Sequence, residues 1–110
     1  MIVTVSDVRV VLTTAGSREE AERIAHALVE RRVAGCVNLV PGLTSIYRWK
    51  DEVEIANEVL LIIKTTAEAL SALEDALRSL HSYEVPEFLV LTPQSASQAY
   101  AAWLLESVLS

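Results

Sequence analysis

Residues 36–65 of the 110-residue chain read CVNLVPGLTSIYRWKDEVEIANEVLLIIKT and contain two long apolar segments on either side of a short polar turn. Cys36–Trp49 is the first predicted strand, and Val53–Thr65 is the strand that returns beside it. Proline inside a strand indicates an edge position or a bulge, so Pro41-Gly42 predicts an irregularity in the first strand. The turn is predicted at Lys50-Asp51-Glu52. This stretch therefore predicts one unusually long β-hairpin.

The segment before the hairpin predicts a strand followed by a helix. Val8–Thr14 is apolar and rich in β-branched residues, which favours a buried strand. Ser17 stands three residues before Glu20, the spacing of a capping box, and apolar residues follow at helical intervals. We therefore expect the first helix to run from Ser17 to Arg32.

The segment after the hairpin predicts helix, strand and helix. Thr65 and Glu68 repeat the capping-box spacing before a helical series of leucines, and Ser95 and Gln98 repeat it before the last helix. Between these two helices we expect a loop at His81–Glu87, a short strand at Phe88–Thr92 and a turn at Pro93–Ser97. The first turns of the last helix are expected to contain Ala99, Tyr100, Trp103 and Leu104.

The predicted element order is β-α-β-β-α-β followed by a helix. This is the ferredoxin-like topology of the α+β class, an antiparallel sheet with a C-terminal helix added, and residues 1–110 form one domain. Two helices would cover one face of the sheet. Hydrophobic residues make up 52% of the chain, against roughly 45–50% apolar residues in ordinary globular proteins. We therefore expect neighbouring subunits to cover the other face.

Charge and cysteine content limit the function classes. The net charge of −6 disfavours binding to nucleic acid or to anionic membrane surfaces. The longest apolar run, Val59–Ile63, is too short to span a bilayer, and the N-terminal residues lack the pattern of a signal peptide. A single cysteine, Cys36, allows no internal disulfide. We expect a cytoplasmic protein with neither nucleic-acid nor membrane partners.

Four segments resemble the CutA divalent-cation tolerance family. Cys36–Trp49 resembles that family's second strand, and Glu58-Val59-Leu60 with Lys64-Thr65 resembles its third. His81-Ser82-Tyr83-Glu84-Val85-Pro86-Glu87 matches the family's His-x-Tyr-x-x-Pro-Glu loop, and Tyr100 and Trp103 match the start of its last helix. The resemblance implies a ferredoxin-like homotrimer similar to PII signalling proteins, which bind nucleotides between subunits. It further implies a role in tolerance of copper and other divalent cations without catalysis.

The metal-binding residues associated with some members are only partly present. The family pattern has a cysteine where this chain has Thr13, and a pair of histidines where it has Leu80 and His81. Threonine is a poor ligand for copper and leucine is none. His81 and Glu87 remain as the candidate metal ligands, which predicts weak binding of copper or zinc at best and no required cofactor. The alternative is that His81 only hydrogen-bonds at a helix C-terminus.

A second set of residues predicts a ligand cleft or a subunit interface. Tyr47, Arg48 and Trp49 lie near the far end of the hairpin, and Tyr83 lies in the loop before the last strand. Together with Lys64 they provide cationic and aromatic groups for a small anionic ligand held between subunits. The alternatives are interface packing for the aromatic residues and an ion pair of Lys64 with Glu58 or Glu87.

Two functional hypotheses follow from the sequence. The first is a non-enzymatic homotrimer that serves divalent-cation tolerance or homeostasis and binds metal weakly. The second is a PII-like regulatory trimer that binds a small anionic ligand. An enzyme ranks last, because Cys36 has no histidine or cationic partner close to it in the sequence that would activate its thiol.

Overall fold

The computed structural model describes residues 1–109, which form two β-sheets and three helices. The strands are β1 (Ile2–Thr4), β2 (Val8–Ala15), β3 (Cys36–Trp49), β4 (Glu52–Thr66), β5 (Leu89–Leu91) and β6 (Ser95–Ser97), and the helices are α1 (Arg18–Glu30), α2 (Leu70–Leu80) and α3 (Gln98–Ser107). The main sheet has the strand order β3-β4-β2-β5, and every neighbouring pair is antiparallel. This is the ferredoxin-like arrangement, so the predicted fold class is confirmed.

One face of the main sheet packs against helices α1 and α2. Val11, Leu61 and Ile63 point to this face and are fully buried. They contact apolar side chains at helical spacing on the two helices, namely Ile24, Leu28, Leu73 and Leu77. This layer is the core of the subunit.

The opposite face of the sheet is covered only at one end. Helix α3 packs there over Val8, with Ala101, Leu104 and Val108 fully or nearly buried. Farther along, Val10, Leu12, Leu60 and Ile62 alternate with the core residues, and all four are only partly buried. The edge strand β5 exposes Leu89, Val90 and Leu91 by 53%, 38% and 44%.

The hairpin of β3 and β4 extends well beyond the rest of the sheet. Ala15 of β2 pairs with Val59, so the residues Leu43–Glu58 pair only with one another and form a two-stranded arm. A register shift between Val40 and Leu43 marks the base of the arm, and Gly42 there has a φ of 80°. The predicted bulge at Pro41-Gly42 is confirmed. The arm lengthens the subunit to 46 × 25 × 22 Å.

The turn at the tip of the arm is shorter than the sequence predicts. Glu52 already belongs to β4 and pairs with Trp49, which leaves Lys50 and Asp51 as the two turn residues. Their φ angles are 50° and 67°. Two successive left-handed residues form the type I′ turn that matches the twist of a hairpin.

Of the three predicted capping boxes, the one at Ser17 is confirmed in part, because Ser17 is the N-cap residue of α1. The Ser17 hydroxyl accepts a hydrogen bond from the Glu20 amide at 3.1 Å, and α1 starts at Arg18. The helix ends at Glu30, two residues before the approximate end predicted at Arg32, and Arg32 adopts a left-handed φ of 60°. The Arg32 guanidinium instead donates to the carbonyl oxygens of Glu106 and Ser107 at the end of α3.

The other two capping boxes are wrong. Thr65 belongs to β4 and its hydroxyl donates to the Val33 carbonyl at 2.7 Å, so α2 starts after Ala69 without a side-chain cap. At α3 the cap is Ser97, which accepts from the Tyr100 amide at 3.0 Å. Ser95 lies in β6 and pairs with Thr4 of β1, which corrects the predicted turn at Pro93–Ser97. Within residues 1–109, no helix has the length and apolar character to cross a membrane.

Candidate functional site

A cleft of about 770 Å³ opens between the arm and the loop that follows α2. Strand β3 supplies Ser45, Tyr47 and Trp49, which lie on one side of the strand because side chains alternate, and Ile46 adds to the lining from the other side. Glu58 of β4 lines the base of the cleft together with Thr14, and residues 82–87 form the facing wall. The volume lies within the range of about 300–1,000 Å³ that is usual for small-molecule sites.

Glu58 and Tyr83 form the central polar contact of this cleft. Glu58 is 8% exposed as a residue, and its Oε2 accepts a hydrogen bond of 2.6 Å from the Tyr83 hydroxyl. Burial and the neighbouring Glu58 carboxylate raise the pKa of Tyr83. The phenol therefore stays protonated and donates to the carboxylate at neutral pH.

The loop that carries Tyr83 is held by hydrogen bonds to α1 and β2. The Ser82 amide donates to Glu20 at 2.9 Å, which is why the Glu20 side chain is directed to the loop. Burial opposes ionisation of Glu20, but the hydrogen bonds from Ser82 lower its pKa overall. Gly16 gives the loop room, because a Cβ there would lie 3.2 Å from the Tyr83 hydroxyl oxygen.

His81 is a structural part of the same loop. Its backbone amide donates to the Leu77 carbonyl and ends α2, as the structural alternative predicts. Its Nδ1 accepts from the Tyr83 amide at 3.0 Å, which leaves the ring proton on Nε2 to donate to the Thr14 carbonyl at 2.6 Å. The His81 side chain is fully buried. Both ring nitrogens are therefore engaged within the subunit.

The predicted pairing of His81 with Glu87 as metal ligands does not fit this arrangement. A metal would have to displace one of the two hydrogen bonds of the imidazole. Across residues 1–109, no three His, Cys, Asp or Glu side chains are arranged to hold a metal ion. Glu87 lies in the cleft near Glu58 instead, and burial together with the Glu58 charge raises the pKa of Glu87.

Of the residues predicted to bind a small anionic ligand, the aromatic ones line the cleft and the two basic ones do not. Tyr47, Trp49 and Tyr83 line the cleft together. Arg48 points to the other side of the arm and donates to the Asp51 carbonyl at 3.2 Å. Lys64 lies farther down β4 and contacts the amide oxygen of Asn38, so it pairs with neither Glu58 nor Glu87. The cationic half of the predicted anion site is therefore absent from the cleft.

The acidic character of the cleft is not among the features predicted from the sequence. Glu58, Glu84 and Glu87 all line it, while Lys, Arg and His are absent from its described lining. From the sequence, Glu58 is expected only as a family-motif residue and an alternative ion-pair partner of Lys64. The sequence nevertheless contains a signal, because the acidic residue Glu58 directly precedes the apolar run Val59–Ile63. A carboxylate next to a buried strand needs a hydrogen-bond donor or a counter-charge.

Comparison with known proteins places the chain in a family. The model of the CutA1 divalent ion tolerance protein family matches residues 9–107. The chain belongs to this family. The divalent-cation tolerance protein CutA of Thermus thermophilus is 50% identical over 98 residues, which are 89% of this chain and 95% of that protein. The CutA family is thus named for divalent-cation tolerance and not for an enzymatic activity.

The similarity extends to animals and to solved structures. Human protein CutA is 44% identical over 91 residues, which are 83% of this chain but only 51% of the human protein, so the chain spans about half the length of that relative. The structure of CutA from Synechococcus elongatus superposes with a TM-score of 0.94 at 40% identity and covers 99% of this chain and 96% of that one. The ferredoxin-like fold found here is therefore the fold of the CutA family.

Proposed function

We propose that this CutA chain is a non-enzymatic homotrimer that serves divalent-cation tolerance. The observation that carries the proposal is the large apolar surface that a single subunit leaves uncovered. Family membership supports the cation role.

The uncovered surface has two parts. One is the open face of the main sheet with the exposed edge strand β5. The other is the arm, where Ile46 and Ile55 pair across the two strands and are 70% and 72% exposed, with Val53 beside them at 61%. Exposed apolar area of this extent is typical of an interface between subunits.

The arm is long enough to reach a neighbouring subunit. Its seven β3 residues, Leu43–Trp49, span about 23 Å at roughly 3.3 Å per residue. Four strands separated by about 4.8 Å make a sheet about 14 Å wide. An arm of this length is therefore long enough to cross a neighbouring sheet, as the proposed intertwined, PII-like trimer requires.

The proposed metal binding is weak. Copper and zinc prefer imidazole and thiolate ligands, but both nitrogens of His81 are engaged and Thr13 replaces a thiol. Carboxylates such as Glu87 remain available for loosely held cations. Tolerance would then not depend on a tightly coordinated ion or on any required cofactor.

The anionic-ligand alternative is not favoured. The cleft that would receive the ligand is lined by three carboxylates, and Arg48 and Lys64 lie outside it. A phosphate or carboxylate ligand would meet like charges there.

Light scattering tests the assembly, and calorimetry tests the metal. We expect a mass of three times 12.1 kDa, and a monomer at micromolar concentration would contradict the proposal. Titration of metal-free protein with Cu²⁺ or Zn²⁺ should show weak binding that Glu87→Gln reduces and the exposed control Glu19→Gln does not. A tight site with one ion per subunit would contradict the weak-binding proposal.

A growth assay tests the cation role. A copper-sensitive bacterial strain that expresses the wild-type chain should gain tolerance. A strain that expresses an equal amount of an assembly-deficient variant should not. Equal growth with and without the wild-type chain would contradict the role in tolerance.

A further inference from the structure

His81 holds the start of the loop after α2 through an acceptor atom that can also be protonated. Its Nδ1 accepts from the Tyr83 amide at 3.0 Å, so this nitrogen carries no proton, and Nε2 donates to the Thr14 carbonyl. The ring of Tyr83 lies 4.6 Å from the imidazole, measured between ring centroids. The side chain of His81 is fully buried. A proton added to Nδ1 would therefore abolish the hydrogen bond from the Tyr83 amide.

A carboxylate of α1 lies beside the same nitrogen. The Glu20 side chain is only 12% exposed, and its Oε2 is 3.8 Å from Nδ1 of His81. This oxygen already accepts from the Ser82 amide at 2.9 Å. A separation of 3.8 Å is too long for a hydrogen bond, but an opposite charge at this distance favours the protonated form of an imidazole. Glu20 is thus an acceptor for two competing donors, the Ser82 amide and a protonated His81.

Two arginines lie on the helices that flank the imidazole. On α1, the Arg23 guanidinium donates to the Leu80 carbonyl at 3.2 Å and lies 3.8 Å from the Glu20 carboxylate. It therefore holds the end of α2 and partly neutralises Glu20. On α2, Arg78 lines a different, smaller pocket whose described lining does not include the histidine.

The loop and the strands add no second ion pair to the imidazole. Tyr83 donates to Glu58 of β4, and burial together with the Glu58 charge raises the pKa of Tyr83, so its phenol stays neutral. Strand β2 contributes the uncharged Thr14. Among residues 1–109, Glu20 is the only carboxylate in ion-pair contact with His81. The Glu20 charge is therefore the main local influence that favours a proton on this ring.

We propose that His81 and Glu20 form a pH-sensitive latch for the loop of residues 82–87. A proton taken up from solvent by Nδ1 removes the acceptor of the Tyr83 amide. The new N–H group donates to Glu20, because a bond between two charged groups is stronger than the present bond from the Ser82 amide. Both amides at the start of the loop then lose their partners, and the loop is released from α1. The latch lies within one subunit and does not depend on the proposed trimer or on the cation role.

The two histidines of the chain provide the test. His81 belongs to the latch, whereas His26 is exposed in the middle of α1. In the assembled protein, NMR follows the ring ¹⁵N signals of both histidines and the amide signals of Ser82 and Tyr83. The pH is lowered from about 8 to about 5, the range in which imidazole ordinarily changes charge. We expect both amides to lose hydrogen-exchange protection with the midpoint of the His81 ring, while His26 titrates without affecting them.

Matched variants separate the proton on His81 from other effects of acid. His81→Asn puts an amide oxygen in the place of Nδ1, which accepts from the Tyr83 amide without titrating, so the loop should stay closed at both ends of the pH range. Glu20→Gln removes the charge that favours the imidazolium, so the midpoint of opening should fall by about one pH unit, a tenfold change in proton affinity. The exposed control Glu19→Gln should leave the midpoint unchanged. If His81→Asn disturbs the fold, the midpoint in Glu20→Gln decides.

Several results would overturn the proposal. They are a His81 ring that titrates while both amides stay protected, a ring that stays neutral throughout, or an unchanged midpoint of opening in Glu20→Gln. Opening that persists in His81→Asn would also overturn it and would assign the acid response to the Glu20 carboxylate. Light scattering at each pH shows the assembly state, so release of the loop is distinguishable from dissociation of the trimer.

Discussion

The two halves of one hairpin differ in how they are stabilised. At its base, Leu61 and Ile63 of β4 are fully buried beneath two helices. In the arm, Val53 and Ile55 of the same strand are 61% and 72% exposed. The arm part of β4 alternates polar and apolar residues, whereas its base is the continuous apolar run Val59–Ile63, and only the base is covered by helices of the same subunit.

Apolar alternation in the arm therefore indicates a buried face without indicating what buries it. An isolated two-stranded ribbon is marginal in water. The arm therefore needs contacts from outside its own subunit, while the base does not.

The largest effect is expected for Ile55→Lys in the arm. If neighbouring subunits cover Ile55, an unpaired lysine there costs about 3–5 kcal/mol per subunit. The mass measured by light scattering should fall toward 12.1 kDa, while circular dichroism keeps the signal of the folded base. Glu19→Lys on the surface of α1 is the control and should leave the mass unchanged. An unchanged mass in Ile55→Lys would show that the arm is exposed in the assembly as well.

At the base, Leu61→Ala should lower the free energy of unfolding by about 3 kcal/mol, because it leaves a cavity in the sealed core. Chemical denaturation at one fixed protein concentration measures this loss, since assembly makes stability depend on concentration. Leu61→Met conserves volume and should cost less than about 1.5 kcal/mol. A similar loss in both variants would mean that the base is less tightly packed than the structure indicates.

The covered base also holds one unsatisfied group, the Thr13 hydroxyl, which is fully buried and has no hydrogen-bond partner within residues 1–109. Thr13→Val keeps the shape and removes this hydroxyl, so it should raise the free energy of unfolding by about 1–2 kcal/mol. Thr65→Val is the matched control with the opposite sign, because the equally buried Thr65 hydroxyl donates to Val33. Thermal denaturation compares the two, and destabilisation by Thr13→Val would reveal a partner for the hydroxyl.

How far the sequence predicts the fold can be judged along this hairpin. Strand alternation and Pro41-Gly42 were sufficient for the hairpin and its bulge, because both are local features. The capping boxes were less reliable, since the same residue types also serve the sheet. Thr65 satisfies the Val33 carbonyl, and Ser95 pairs with Thr4, so neither is available as a cap. The three-residue strands β1 and β6 carry too few residues for a periodic signal.

The candidate site was predictable in its aromatic residues but not in its charge. Within one subunit, Tyr47, Trp49 and Tyr83 line the same cleft, while the predicted position of that cleft between subunits stays a prediction. Lys64 lies outside this cleft of the subunit, because about 20 Å of β4, six residues at roughly 3.3 Å each, separates it from Glu58. Glu58 and Glu87 lie in one cleft because the loop of residues 82–87 faces the arm. This tertiary contact has no local signal in the sequence.

The turn at the tip of the arm gives a smaller effect. Lys50 and Asp51 have left-handed φ angles, which cost free energy for residues with a Cβ. Replacing them by Asn-Gly, the preferred type I′ pair, should raise the free energy of unfolding by about 1 kcal/mol.

At the other end of the arm, Gly42→Ala should lower the free energy of unfolding by about 1 kcal/mol, because the φ angle of Gly42 is 80°. Thermal melting of both variants shows whether arm geometry contributes to stability, and two unchanged midpoints would mean that it does not.

The smallest expected effect is a pH dependence of stability caused by Glu87, which lies in the cleft between the loop and the arm. Burial and the Glu58 charge raise the pKa of Glu87 above its ordinary value of 4.5. In the window just above 4.5 the folded protein therefore binds more protons than the unfolded chain, so this residue makes stability fall as pH rises. Glu87→Gln should remove that fall, making the variant more stable relative to wild type at pH 7 than at pH 4. Urea denaturation at both pH values measures the difference. Glu19→Gln should show none, and a difference of the opposite sign in Glu87→Gln would place a cationic partner beside Glu87 in the assembly.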